Sequence, residues 1–452
     1  MSTEIARIYR DQMDAAAIAD PWTNHAWGAL VGVWCGDAAG AILEGFGRGA
    51  SDRAITDAIG MIGGGIHNVD PGAVTDDGEL TATLTRTLSH YSASYDFPLN
   101  EVAKAYRDWF RSAPFDVGYT CRAAFSIGDV DESSIGQKML DATSQLTRSQ
   151  DSQANGALMR IMPVAVWIAA HARCDGLKTE QVISTIREHV TADARLSHPN
   201  QVCVEANILY CIAAVHLINN PGDGLGALTH VEYEIQQRCT SSVVDWYYSS
   251  TSLTADNFCV NGGHVKHAFR AAFYHLRRRS TYHEALRDVL ARGGDTDTNA
   301  AIVGGLLGAL HGFQLIPDGI KGRVLLFDCM RQFNNNRRPE EYSVFRVWPY
   351  FLNMVPAHGP AANTPIVPAK EIRVMKLGHG EGTSTSVSAG TSVNAADEDN
   401  IEAVIRKFAE RAHRTDMDSN VDVLDWIERT QKQHMDAILY LEKLKRVVSG
   451  GK

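Results

Sequence analysis

Apolar positions in this chain recur every three to four residues over long stretches, and runs that alternate every second residue are scarce. That spacing is the mark of helices with one buried face. It predicts helices at Leu80–Tyr91, Leu99–Arg111, Gly156–Ala172, Thr179–Ala194, Gln201–Asn219, His264–Arg278 and Tyr282–Ala291. Trp27 to Phe46 also reads as helix, with Gly28, Gly32, Gly36 and Gly40 at four-residue spacing. Asp37 within that stripe points to close packing between soluble helices rather than to a membrane pair. A second small-residue helix follows Asn299, from Ala300 to Ala309. The expectation is an all-α, compact orthogonal multi-helix domain with more helices than a four-helix bundle. Loops between the helices carry the polar clusters; Gly60-Met61-Ile62-Gly63-Gly64-Gly65 reads as a flexible loop before Asp76, and Pro71-Gly72 as a turn.

The pattern changes after about Val367. Residues 378–396 are rich in Gly, Ser and Thr, a linker composition. Beyond them Ile401, Val404, Ile405 and Phe408 fall on one helical face. A second face runs from Val421 to Val448 through Leu424, Ile427, Ile438, Leu441 and Leu444. The implied organisation is an N-terminal helical segment (1–23), a main domain (24–370), a linker (371–398) and a C-terminal amphipathic helical hairpin (399–452). A lone hairpin buries too little surface to be stable alone. It is therefore expected to dock on the body, dimerise or bind a protein partner.

Composition narrows the class. Hydrophobic residues make up 44% and charged residues 21%, enough to build a large core in a soluble protein. Net charge is −10 with no long basic run, which argues against general nucleic-acid binding. The cysteines are scattered without a CxxC pair, so reduced thiols are expected rather than a disulfide framework or a zinc site. The first twenty residues lack the apolar core of a secretory signal, and no unbroken apolar run of about 18 residues suggests a membrane span. A cytoplasmic location is the expectation.

Two acidic clusters, each at a predicted helix start, carry the candidate chemistry: Thr75-Asp76-Asp77-Gly78-Glu79 and Gly293-Gly294-Asp295-Thr296-Asp297-Thr298-Asn299. Asp and Thr are ordinary N-caps, and acids suit the positive end of a helix. Capping needs only one such residue, and each cluster supplies at least three. Two all-oxygen clusters that meet in the fold would suit hard cations such as Mg²⁺ or Mn²⁺. Asp37 reads as a structural anchor and Arg160 as a structural ion-pair donor.

These clusters stand in order with Gly36-Asp37-Ala38-Ala39-Gly40-Ala41-Ile42-Leu43-Glu44, with Gly63-Gly64-Gly65 and with Asn155-Gly156-Ala157-Leu158-Met159-Arg160 before Pro163. Together they resemble the ADP-ribosylglycohydrolase family over about residues 24 to 315. The resemblance implies the all-α fold of that family and two Mg²⁺ or Mn²⁺ ions in a cleft. It implies hydrolysis of the bond between ADP-ribose and a modified protein side chain (arginine favoured, serine open) or a related ADP-ribose derivative. By motif, Thr75, Asp76, Asp77, Asp295, Asp297 and Thr298 would be metal ligands. Glu44, Asp77 and Asp297 would carry the catalysis. Gly63, Gly64, Gly65, Asn155, Gly156 and His198 would hold the substrate. Gly78 stands where the family usually has Thr, Val74 where an aromatic is common and Ala154 where Gly is frequent. None of these departures removes a ligand. A catalytically inactive ADP-ribose binder on the same fold is the alternative, and loss of the acids would favour it.

Overall fold

Asp20 starts the central helix. Its carboxylate accepts from the amides of Trp22 and Thr23, and Pro21 occupies the first helical position, where its missing N–H costs nothing. The computed structural model describes residues 3–327 and 338–355, apart from positions 48, 95 and 255. All of them belong to the first of two units into which the chain divides, Met1–Ile372. The expected linker at 371–398 and hairpin at 399–452 lie outside the described residues.

The principal helices are α1 (Thr3–Ala19), α2 (Pro21–Gly40), α3 (Asp76–Leu88), α4 (Leu99–Arg111), α5 (Met162–Asp175), α6 (Thr179–Arg195), α7 (Gln201–Asn219), α8 (Val265–Arg278), α9 (Tyr282–Arg292) and α10 (Thr296–His311). Among the described residues there are no strands, only the isolated bridges Gly64–Val69 and Ala154–His264. The all-α expectation holds. The predicted helix at Gly156–Ala172 does not run unbroken. Leu158–Arg160 forms a 3₁₀ turn, and α5 starts at Met162 with Pro163 in its first turn.

The core is built on α2 and α10, which run antiparallel with their backbones in contact. A Cβ on Gly32 would lie 2.2 Å from the Gly304 carbonyl oxygen, and one on Gly36 would lie 2.1 Å from that of Ala300. At the two ends, Gly28 abuts Gly308 and Phe313, and Gly40 abuts Asp297. Residues without side chains thus set the helix separation. Tyr282 adds a hydrogen bond from its hydroxyl to the Gly32 carbonyl (2.7 Å), and Tyr210 one to the Ile302 carbonyl (2.7 Å). Helices α7, α8 and α9 pack around α10, and α3 packs against α2, α4 and α5. By length and composition α7 could cross a bilayer, but it is buried as a core helix and carries Glu205 and Asn207.

Candidate active site

The last glycine of the stripe fixes the acidic cluster at 295–298. A Cβ on Gly40 would sit 2.3 Å from Asp297 Cα, and Thr296 Oγ1 donates to the Gly40 carbonyl at 2.8 Å. The start of α10 is therefore locked to the end of α2. Gly293 and Gly294 lead in with φ of 71° and 80°, and Gly294 passes so close to the Phe258 carbonyl that no side chain fits. Asp295 then takes the N-cap position.

Asp37 fixes the second cluster. Its buried carboxylate accepts from Thr75 N (3.0 Å), Thr75 Oγ1 (2.9 Å) and Gly78 N (2.8 Å), which satisfies orphan donors at the start of α3. Burial pushes its carboxyl up to about 7 against those three bonds. The departures at 74 and 78 are coupled. A Cβ on Gly78 would lie 2.5 Å from Val74 Cβ and 2.6 Å from Asp37 Oδ2. Only glycine fits beneath Val74 at this anchor.

The two clusters meet. Thr75 Oγ1 is 3.5 Å from Asp77 Oδ2 and 3.4 Å from Asp297 Oδ2, and Thr298 Oγ1 donates to Asp77 Oδ2 at 3.2 Å. Thr298 N donates to Asp297 Oδ1 at 2.8 Å. Asp76 takes the Gly118 amide at 3.2 Å, and Asp295 takes Asn155 Nδ2 at 2.7 Å. Asp76, Asp295, Asp297 and Thr298 line a cleft of about 560 Å³, while Thr75 and Asp77 lie beneath it without exposure.

The donor set fits hard divalent cations. Burial, then repulsion from neighbouring acids, pushes the Asp76, Asp77 and Asp297 carboxyls well above the ordinary carboxylate range. Asp77 Oδ1 is buried without a hydrogen-bond partner. The helix N-termini offset only part of that charge. Carboxylate and hydroxyl oxygens converging from two helix starts, one of them without a partner, are what a hard divalent cation would satisfy.

Glu44 stands at the mouth. Helix α2 ends at Gly40, so the chain turns and separates Glu44 from the buried Asp37. Carboxylate oxygens of Glu44, Asp295 and Asp297 lie within 4.8 Å of one another. Glu44 Oε2 also accepts from His67 Nε2 at 2.8 Å, and the same nitrogen is 3.6 Å from Asp116 Oδ2. Sequence reading missed both partners. Asp116 is a single acid between helices with no local pattern. His67 had one available signal, its place two residues after three consecutive glycines. Burial and the nearby Glu44 push the Asp116 carboxyl up to about 6, with His67 opposing them.

Gly63, Gly64 and Gly65 are not among the residues lining the cleft. All three have positive φ, and Gly63 and Gly65 are pressed against the backbones of Val69 and of Ala41 and Ile42. They shape the turn that carries His67. Asn155, Gly156 and His198 do line the cleft. Asn155 N donates to the Gly263 carbonyl at 2.9 Å, while Arg160, wholly buried, reaches the Gly156 carbonyl (2.6 Å) and Ser197 Oγ (2.8 Å). Arg160 also pairs with Asp193 at 3.6 Å, consistent with a structural role. Burial, then Arg160, holds His198 down to about 3, so its imidazole is neutral. Its Nδ1 meets Ser197 Oγ at 2.8 Å and its Nε2 has no partner.

Known proteins agree with this architecture. One solved structure, titled an ADP-ribosylglycohydrolase-related protein complex, superposes with a TM-score of 0.51 at 22% identity, over 73% of this chain and 96% of that one, which speaks to the fold. The ADP-ribosyl-[dinitrogen reductase] glycohydrolase of Rhodospirillum rubrum is 26% identical over 296 residues, 66% of this chain and 88% of that protein. The ADP-ribosylarginine hydrolase Tri1 of Pseudomonas putida is 25% identical over 296 residues, 65% and 72% respectively. A family model described as ADP-ribosylglycohydrolase matches residues 19–346, a span that contains both acidic clusters, Glu44 and the Asn155 loop, and the chain therefore belongs to the ADP-ribosylglycohydrolase family.

Proposed function

We propose that this cleft hydrolyses the glycosidic bond between ADP-ribose and a protein side chain, with arginine the favoured acceptor. The observation that carries the reading is the meeting of Thr75, Asp76 and Asp77 with Asp295, Asp297 and Thr298 at the floor of one cleft. Those six residues would hold two divalent ions, Mg²⁺ or Mn²⁺. When bound, such ions supply electrostatic stabilisation to substrate oxygens that gain charge.

The remaining roles belong to the chain. Glu44 lines the cleft with its carboxylate within 4.8 Å of those of Asp295 and Asp297, and can orient and deprotonate the attacking water. The carboxylates around the anomeric carbon favour oxocarbenium character there. Asn155, the amides near Gly262 and Gly263 and the neutral His198 offer donors for the phosphates and ribose without a basic patch. Two relatives are named for ADP-ribosylated protein substrates, one specifically for arginine, which favours that linkage here.

The test is release of ADP-ribose from arginine-modified and serine-modified protein, with Mg²⁺ and with EDTA. Rapid release from the arginine-linked substrate, abolished by EDTA and restored by Mg²⁺ or Mn²⁺, is expected. Undiminished turnover in EDTA would refute the metal reading, and preference for the serine linkage would overturn the acceptor.

A further inference from the structure

Glu44 is poorly held by its own segment. It sits four residues beyond the last residue of α2, with its amide bonded back to the Gly40 carbonyl at 3.1 Å. Gly45 follows with φ of 73°, and Phe46 is exposed. A base must be placed to a fraction of an ångström, and a misplacement of about 1 Å can cost about 100-fold in rate. Something outside this turn must set the carboxylate.

The loop at 63–69 has that shape. Gly64 and Val69 exchange both backbone hydrogen bonds at 2.8 Å, which closes the loop into a tight bridge. Gly63, Gly64, Gly65 and Asn68 all take positive φ. Gly65 lies so close to the Ala41 carbonyl that an added Cβ would sit 2.6 Å from it, so the loop is seated directly on the turn that leads to Glu44. At its tip His67 donates from Nε2 to Glu44 Oε2 at 2.8 Å, with Asp116 Oδ2 3.6 Å from the same nitrogen. The imidazole ring lies against Phe115, centroids 5.7 Å apart. Three segments, 41–46, 63–69 and 115–116, converge on one imidazole, although none of the proposed metal ligands bonds to it.

We propose that His67 is the positioning residue for Glu44: its Nε2–H holds the carboxylate over the cleft, and the glycine-rich loop exists to deliver it there. This rests on the catalytic reading of Glu44 given above. His67 itself need touch neither substrate nor ion.

Three substitutions separate this from a merely structural role. His67→Gln places an amide donor where Nε2 stood, His67→Asn is too short to reach, and His67→Phe keeps the ring packing without the donor. With arginine-ADP-ribosylated protein and saturating Mg²⁺, the Phe and Asn variants should lose about 10–100-fold in kcat, with KM and Mg²⁺ affinity changed by less than about threefold. The Gln variant should recover to within about threefold of the parent. Combining His67→Phe with Glu44→Gln should cost little beyond Glu44→Gln alone, because both remove the same function. Gln and Asn differ by one methylene on a partly exposed loop, so a folding defect would be shared by the two and a kcat difference would not. Equal kcat in the Gln and Asn variants, a change in KM instead of kcat, or losses that multiply in the double variant would each overturn the proposal. Full activity in Glu44→Gln would instead remove the reading beneath it, whereas an inactive Glu44→Gln beside a fully active His67→Phe would overturn the positioning role alone.

Discussion

Asp37 and Glu44 lie seven positions apart and serve different ends because α2 stops between them. Asp37 faces inward and binds three donors at the start of α3. Asp37→Ala should therefore strand buried donors and lower stability by about 2–4 kcal/mol in urea unfolding. Glu44→Gln keeps the size and the hydrogen bond but removes the charge. It should lower kcat at least about 100-fold while leaving Mg²⁺ binding and the melting temperature nearly unchanged. The buried acids make a further prediction about pH. In the metal-free folded protein Asp77 titrates well above an unfolded aspartate, near 3.9. The folded state then binds the proton more tightly, so its contribution to stability is complete below about pH 4 and is lost as pH rises through the raised value. Without metal, Asp77→Asn should melt above the parent at pH 8, with the gap closing toward pH 4. Saturating Mg²⁺ should reverse the order at pH 8, because the native parent alone binds it fully. A pH-independent gap in metal-free melting curves would refute this account of the site.

At the scale of elements, the glycine stripe joins the core to the chemistry. Gly28, Gly32 and Gly36 hold α2 against α10, and Gly40 continues the same seam to Asp297. Gly36→Ala forces a methyl into the Ala300 carbonyl and should cost about 2 kcal/mol or more, with weaker Mg²⁺ binding as α10 shifts. Gly319→Ala, in the short helix Asp318–Leu325 with open space around it, should be neutral or stabilising by up to about 1 kcal/mol. Similar losses at both positions in urea melts would mean that helix propensity, not backbone contact, explains the stripe. The stripe was legible because its period is local. Leu99–Arg111 and Gln201–Asn219 were read to the residue for the same reason. Its partner was not legible, since no pattern in 21–40 names residues 297–308. The break at Leu158–Arg160 escaped because apolar spacing runs through it. Pro163 has no N–H to bond the Met159 carbonyl and so bars a continuous helix there, and the Arg160 side chain takes the Gly156 carbonyl and Ser197. Asp116 and His67 were hidden likewise, for each gains its meaning from a contact across the fold.

For the molecule as a whole, every site residue lies between Glu44 and Thr298, yet the domain needs chain well beyond that. Arg338 returns to the site from the far end. Its Nε and Nη2 donate to the two Glu79 oxygens at 2.8 and 2.7 Å, and Trp109 Nε1 adds a third bond at 2.7 Å. Glu79 is two residues after Asp77 and is buried, so this pair anchors the first turn of α3 from behind. Trp348 and Phe351 then pack on Trp27 of α2, with ring centroids 4.9 and 4.8 Å away. The family match likewise runs to 346. A chain ending at Ile372 should therefore keep its turnover within about twofold and its melting temperature within a few degrees. One ending at Phe327 leaves Glu79 buried without its cation, a loss of about 3–5 kcal/mol for a broken buried pair, and uncovers Trp27 as well. It should be largely unfolded or inactive at 37 °C. Arg338→Met in the full chain isolates the charge from the packing and should reproduce most of the loss, while Arg338→Met with Glu79→Gln should recover much of it, because the neutral amide needs no cation and its oxygen can still accept from Trp109. Calorimetric melting of these variants decides the matter. Loss of activity on removing only residues after 372 would show that the C-terminal segment contributes to the site. An unperturbed Arg338→Met would show that Glu79 is satisfied without its guanidinium.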